Sequence, residues 1–73
     1  MLEMCEIYIE GKDEAVAEDI FRIVLDNPGS IVPKLVNKSD GHKAVTVAFS
    51  NPQVKKDVQN AVNTKYGGMV SFR

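Results

Sequence analysis

Apolar and polar residues alternate with a period of two in some stretches of this chain and recur at helical spacing in others. From Met4 to Glu10, the side chains of Cys5, Ile7 and Ile9 fall on one side and those of Glu6, Tyr8 and Glu10 on the other. That is the rhythm of a strand with one buried face. Gly11 interrupts it. Asp13 stands where a helix N-cap belongs, and Glu14 follows in the first turn, where the helix dipole favours negative charge. Val16, Ile20, Ile23 and Val24 then form a helical stripe widened by Ala17 and Phe21. Asn27-Pro28-Gly29 ends this helix, because proline disfavours the α region for the residue before it.

Residues 30–37 read as a second strand. Pro33 has no N–H to give to a ladder, so this strand belongs on an edge or carries a bulge, and its inward face stays open on sequence grounds. Ser39-Asp40-Gly41 reads as a hairpin turn in which Gly41 takes positive φ. Over 43–49 the alternation returns, with Val45, Val47 and Phe49 inward and Ala44, Thr46 and Ala48 outward. Ser50 or Asn51 caps a second helix that has Pro52 at its first position and Val54, Val58, Ala61 and Val62 as its apolar face. Gly67-Gly68 offers a C-cap, and Met69-Val70-Ser71-Phe72 a last short strand with Val70 and Phe72 inward. The order is βαββαβ. Two right-handed crossovers in this order predict a ferredoxin-like α+β domain over residues 1–73: a four-stranded antiparallel sheet with both helices on one face and the second and fourth strands at the edges.

Composition narrows the function. A chain of 73 residues has room for one domain, with a stability of about 3–7 kcal/mol and little core in which to hide a deep active site. The net charge is −1, without the excess of lysine and arginine that displaces phosphate counterions in a general nucleic-acid binder. A single cysteine excludes an internal disulfide. No apolar run approaches about 18 residues, and Met1 to Glu6 lack the basic-then-apolar order of a signal peptide. A cytoplasmic location is the resulting expectation. Charge is unevenly spread: residues 1–27 hold eight acids and two bases, a net −6, and residues 28–73 hold seven bases and two acids, a net +5. Such a polar molecule presents different ends to different partners.

Candidate chemistry is sparse. Metal sites need several converging His, Cys or carboxylate ligands, and this chain has one His and one Cys. By parity Cys5 faces the core while His42 sits at the hairpin end on the outward side, so they cannot form a nucleophile–base pair. His42 reads as a solvated turn residue. Asp13, Glu14, Glu18 and Asp19 do not have the spacing of a calcium loop. Gly67-Gly68 follows a helix instead of preceding one, so it builds no phosphate cradle. The expectation is a protein with no catalytic residues, no metal and no cofactor.

Ile7-Tyr8-Ile9-Glu10-Gly11 resembles the shorter signature of the RNA recognition motif, in which an aromatic on the open sheet face stacks on a base. Val47-Ala48-Phe49 is similar to the end of that family's longer signature. The positions that should carry two more stacking aromatics hold Ala44 and Thr46. Glu6 and Glu10 flank Tyr8, and each repels a phosphate about 7 Å away by roughly 0.6 kcal/mol in water. Losing two stacked bases removes about 2–6 kcal/mol. The resemblance therefore implies weak binding of single-stranded RNA. Lys34, Lys38, His42 and Lys43, expected to converge on the hairpin, are the candidates for phosphate contact.

With this chemistry set aside, a protein partner leads. The open sheet face and the last strand's edge offer Tyr8, Glu6, Glu10, Thr46, Met69, Ser71 and Arg73 for docking, with Tyr8 as the aromatic anchor. In length, charge polarity and lack of catalytic residues the chain resembles the small regulators that lytic phages direct at host RNA polymerase. That resemblance implies a transcription regulator docked on polymerase, in the host cytoplasm. A homodimer with paired open faces, structural or ligand-sensing, is the further alternative.

Overall fold

The computed structural model describes residues 2–73; Met1, which opens the stretch examined for a signal peptide, lies outside them. The elements are β1 (Glu3–Ile9), α1 (Glu14–Leu25), β2 (Ser30–Asn37), β3 (Lys43–Phe49), α2 (Pro52–Tyr66), a 3-10 turn (Gly67–Met69) and β4 (Val70–Phe72). The strands form one sheet in the order β2-β3-β1-β4, and every neighbouring pair is antiparallel. This is the ferredoxin-like α+β arrangement expected from the pattern. Among the described residues no helix is long and apolar enough to cross a membrane.

The parity of the two central strands decides which side of the sheet is core. Cys5, Ile7 and Ile9 of β1 and Val45, Val47 and Phe49 of β3 pack with Ala17, Ile20 and Val24 of α1 and Val58 and Val62 of α2. α1 lies over β2 and β3, and α2 reaches β1, β3 and β4. Ala61, expected on the apolar face of α2, is exposed instead. Its position faces away from the sheet once Val58 and Val62 are buried. The helix starts are as expected. Asp13 Oδ1 accepts from the amides of Ala15 and Val16, and Asn51 Oδ1 accepts from that of Val54. The helices are also tied together by polar contacts. The Tyr66 hydroxyl donates to Asp19 Oδ2 at 2.5 Å, and Lys65 Nζ lies 2.6 Å from the same oxygen. Lys65 and Tyr66 between them hold the Asp19 carboxyl below its ordinary range.

Three local expectations change. Gly67 caps α2 with φ −52° and ψ −37°, so the glycine pair continues into a 3-10 turn without using the left-handed region. Met69 belongs to that turn, and β4 begins only at Val70. Strand pairing also resolves β2. Ser30 and Leu35 oppose Phe49 and Val45 on the helix side, and Ile31, Lys34 and Val36 oppose Ala48, Thr46 and Ala44 on the open side. The register shifts between Ile31 and Lys34, at the proline. Val32 in this bulge has φ +49° and is 68% exposed. A β-branched residue is strained there, because the left-handed region crowds Cβ against the backbone.

Two substitutions probe these features in urea unfolding. A Cβ on Gly29 would meet Val54 Cγ1 at 2.5 Å, so Gly29→Ala loses about 1–3 kcal/mol, and the double variant with Val54→Ala is more stable than the sum of the single losses. Val32→Asn, placing a residue that tolerates the left-handed region, is at least as stable as the parent, with a gain of up to about 1 kcal/mol.

Candidate functional site

The helix-free face of the sheet is where the sequence placed its candidate residues. Its register can be read in rows. Ile31, Ala48 and Met4 lie side by side, then Lys34, Thr46 and Glu6, then Val36, Ala44, Tyr8 and Ser71. Arg73 follows Ser71 on the same side. It stands opposite Glu6, with which it exchanges two backbone hydrogen bonds of 2.9 and 2.8 Å.

Tyr8 stands on this face, as expected, but it is not free. Its residual exposure is 5%, although it is no part of the cluster beneath the helices. Three residues cover it. The Arg73 guanidinium lies 3.9 Å from the ring centroid, in cation–π contact. The His42 ring meets it edge-on, with centroids 5.3 Å apart. The hydroxyl donates to Asp40 Oδ2 at 2.5 Å and contacts His42 Nδ1. A phenol has one hydrogen, and Asp40 accepts it, so the imidazole presents Nδ1–H to the phenolic oxygen. Asp40 Oδ1 also accepts from the His42 amide at 2.9 Å, which closes the turn. Gly41 takes φ +86° there, as expected.

The ionisation of these groups follows from the contacts. The hydrogen bond to Asp40 is the main reason the Tyr8 phenol is pushed up to about 12. The same bond, followed by the His42 amide, holds the Asp40 carboxyl at about 2. On the other side of the sheet, burial raises the Cys5 thiol above its ordinary value, against a weak contact from Gln59 Nε2 at 3.8 Å. Cys5 and His42 lie on opposite faces of the sheet.

The remaining candidates scatter. Lys34, Lys38, His42 and Lys43 do not converge. Lys43 turns to the helix side, with Nζ 2.7 Å from Asn37 Oδ1 and 3.8 Å from Glu14 Oε1. Lys38 reaches across the open face to Glu6, 3.0 Å from Oε1. That contact is an ion pair without hydrogen-bond alignment. His42 packs on Tyr8 and is not the solvated turn residue expected. Lys34 alone stays exposed and makes no ion pair among the described residues. Glu10 accepts from Ser71 Oγ at 2.7 Å. Met69, placed by sequence along the β4 edge, stands in the 3-10 turn and is exposed.

The sequence pattern gave Asp40 a place in the hairpin turn but none on the open face. It also missed the apolar end of this face. Met4, 67% exposed, shares a row with Ile31 across Ala48. Met4 has the same parity as Glu6 and Tyr8, a signal that was legible. Its neighbour Ile31 was not, because the face of β2 depends on the bulge. Among the described residues no three His, Cys, Asp or Glu side chains gather as a metal site.

The arrangement places the chain in a fold class, and comparison with solved structures agrees. Rv0793 from Mycobacterium tuberculosis superimposes with a TM-score of 0.69 at 9% identity, covering 99% of this chain and 89% of that one. A mutant of SnoaB, a cofactor-independent oxygenase from Streptomyces nogalater, gives 0.60 at 10% identity, covering 99% and 85%. At such identities the likeness is one of fold. No protein-family model and no curated protein sequence matches the chain.

The Tyr8–Asp40 bond predicts a pH signature. A depressed carboxyl stabilises the fold fully above its unfolded value near 4 and loses that contribution as pH falls towards about 2. A raised phenol stabilises below its unfolded value near 10 and loses that contribution as pH rises towards about 12. Tyr8→Phe lowers the urea midpoint at pH 7 and removes this bond's share of both losses; an acid limb unchanged in Tyr8→Phe would show that the bond does not form in solution.

Proposed function

We propose that this chain is a non-enzymatic docking protein that uses the open face of its sheet to bind a larger protein. The carrying observation is the division of that face. One half is polar and self-satisfied: Tyr8 with Asp40, His42 and Arg73, Glu6 with Lys38, and Glu10 with Ser71. The other half carries Met4, 67% exposed, in one row with Ala48 and the half-buried Ile31. Clustered apolar side chains rimmed by polar ones are the mark of an interaction surface.

Two other readings have less support. Stacking on RNA requires a base to displace the Arg73 guanidinium from the one aromatic on the face, while two of the three hairpin lysines are already bound to Glu6 and Glu14. For catalysis of the kind named for SnoaB, the imidazole on this face, His42, is already engaged through Nδ1 with the Tyr8 hydroxyl. A phenol held at about 12 stays protonated at neutral pH, and the Cys5 thiol is buried with its pKa raised.

Bacterial RNA polymerase is the first partner to test, because it is the target implied by the small phage regulators that the chain resembles. Tagged protein incubated with purified polymerase retains the enzyme on affinity resin, and Met4→Asp, which charges the apolar end without touching the core, abolishes retention. Failure of the parent protein to retain polymerase removes that partner.

A further inference from the structure

We infer that the Asp40–Gly41 peptide is a latent site of aspartate isomerisation, and that the Tyr8 hydroxyl keeps it closed.

Asp40 is the one aspartate or asparagine in this chain that precedes a glycine. Glycine has no side chain to hinder attack of its amide on the carboxyl before it. The turn supplies the rest. Asp40 Oδ1 accepts from the His42 amide at 2.9 Å, and this Asx turn folds the carboxyl back over the Gly41 peptide unit. Gly41 takes φ +86°, and Lys12 Nζ stands 3.3 Å from where a Gly41 Cβ would be. An ammonium beside that peptide favours the negative charge that develops when an amide attacks a carboxyl. The Asp40 side chain is 50% exposed, so water reaches it. The reaction balances without an oxidant or reductant. The Gly41 nitrogen attacks Asp40 Cγ, the N–Cγ bond forms, and the carboxyl hydroxyl leaves with the amide proton as water. Water then opens the succinimide at either ring carbonyl. One opening restores aspartate; the other leaves the main chain running through Cγ, as isoaspartate of unchanged mass.

Two contacts oppose the cyclisation. The Gly41 amide donates to the Lys38 carbonyl at 3.0 Å, which commits the nucleophile to the turn. The Tyr8 hydroxyl donates to Asp40 Oδ2 at 2.5 Å, which pins the electrophile. Water leaves only from the neutral acid, and a donor on a carboxylate favours the ionised form. Held at about 2, Asp40 at pH 6 has about a hundredfold less neutral acid than a carboxyl at the ordinary value near 4. Tyr8 therefore acts on the site twice, by fixing the carboxyl in place and by keeping it charged. Isomerisation in turn adds one methylene to the main chain of the hairpin turn and takes the carboxylate off Tyr8.

The test incubates the full chain at pH 6 beside a free peptide of residues 37–44. Isoaspartate is counted by enzymatic methylation with labelled S-adenosylmethionine and located by peptide mapping. The expected result is that the parent gains isoaspartate at Asp40 at least about tenfold more slowly than the peptide, and that Tyr8→Phe gains it at least about tenfold faster than the parent. Gly29→Ala, which weakens the fold through Val54 without touching the turn, stays within about twofold of the parent. In the isomerised chain the Tyr8 phenol titrates below the about 12 of the parent, towards the ordinary value near 10. A parent as fast as the free peptide overturns the inference without recourse to any variant. So do equal rates in Tyr8→Phe and the parent. A rise in Gly29→Ala that matches the rise in Tyr8→Phe also overturns it, because unfolding and not the lost hydroxyl then opens the site.

Discussion

The structure depends on the alternation of β1 between two neighbours. This strand pairs with β3 over seven residues and with β4 over three, so its side chains stand in the middle of both faces. Its odd residues, Cys5, Ile7 and Ile9, drop beneath the helices, and its even residues, Met4, Glu6 and Tyr8, fill the face opposite. A shift of one residue would place Glu6 in the core, where a carboxylate without a partner is costly. The register of β1 is thereby protected by charge as well as by packing, and both faces inherit their chemistry from it.

A sheet of this topology with helices on one side has to dispose of its other side. Here most of that side is closed by the chain itself. Ala44 is fully buried and Ala48 nearly so, although neither lies in the main core, because the longer side chains of neighbouring strands lean over them. Tyr8 is the centre of this cover. Its hydroxyl engages the turn between β2 and β3 through Asp40 and His42, and its ring carries the guanidinium of Arg73 after β4. Groups far apart in sequence are held together over a single aromatic. Met4 on the same face has no equivalent cover and is 67% exposed.

The edges of the sheet differ in a related way. β2 is broken by a bulge and a proline, which keep it from continuing into another sheet, and β4 is only three residues long. The solved structures that share this fold, one of them an oxygenase by name, differ from this chain at about nine positions in ten. Side-chain chemistry on such a scaffold is free to differ just as widely.

The sequence by itself determined the elements, their order and the side on which each central-strand residue lies. Those depend on periodicity and on local signals such as Asp13, Asn51, Pro52 and Gly41, which act within a few residues. It also determined that Cys5 and His42 stand on opposite faces, since parity in a strand is independent of what packs on it. Only the tertiary structure decided that Arg73 covers Tyr8, that Asp40 binds its hydroxyl, that Lys38 spans to Glu6 while Lys43 turns to Glu14, and that Ile31 joins Met4. The reason is physical. Long polar side chains choose among several partners that strand pairing brings within reach, and the face of β2 depends on one bulge whose position no short-range pattern specifies.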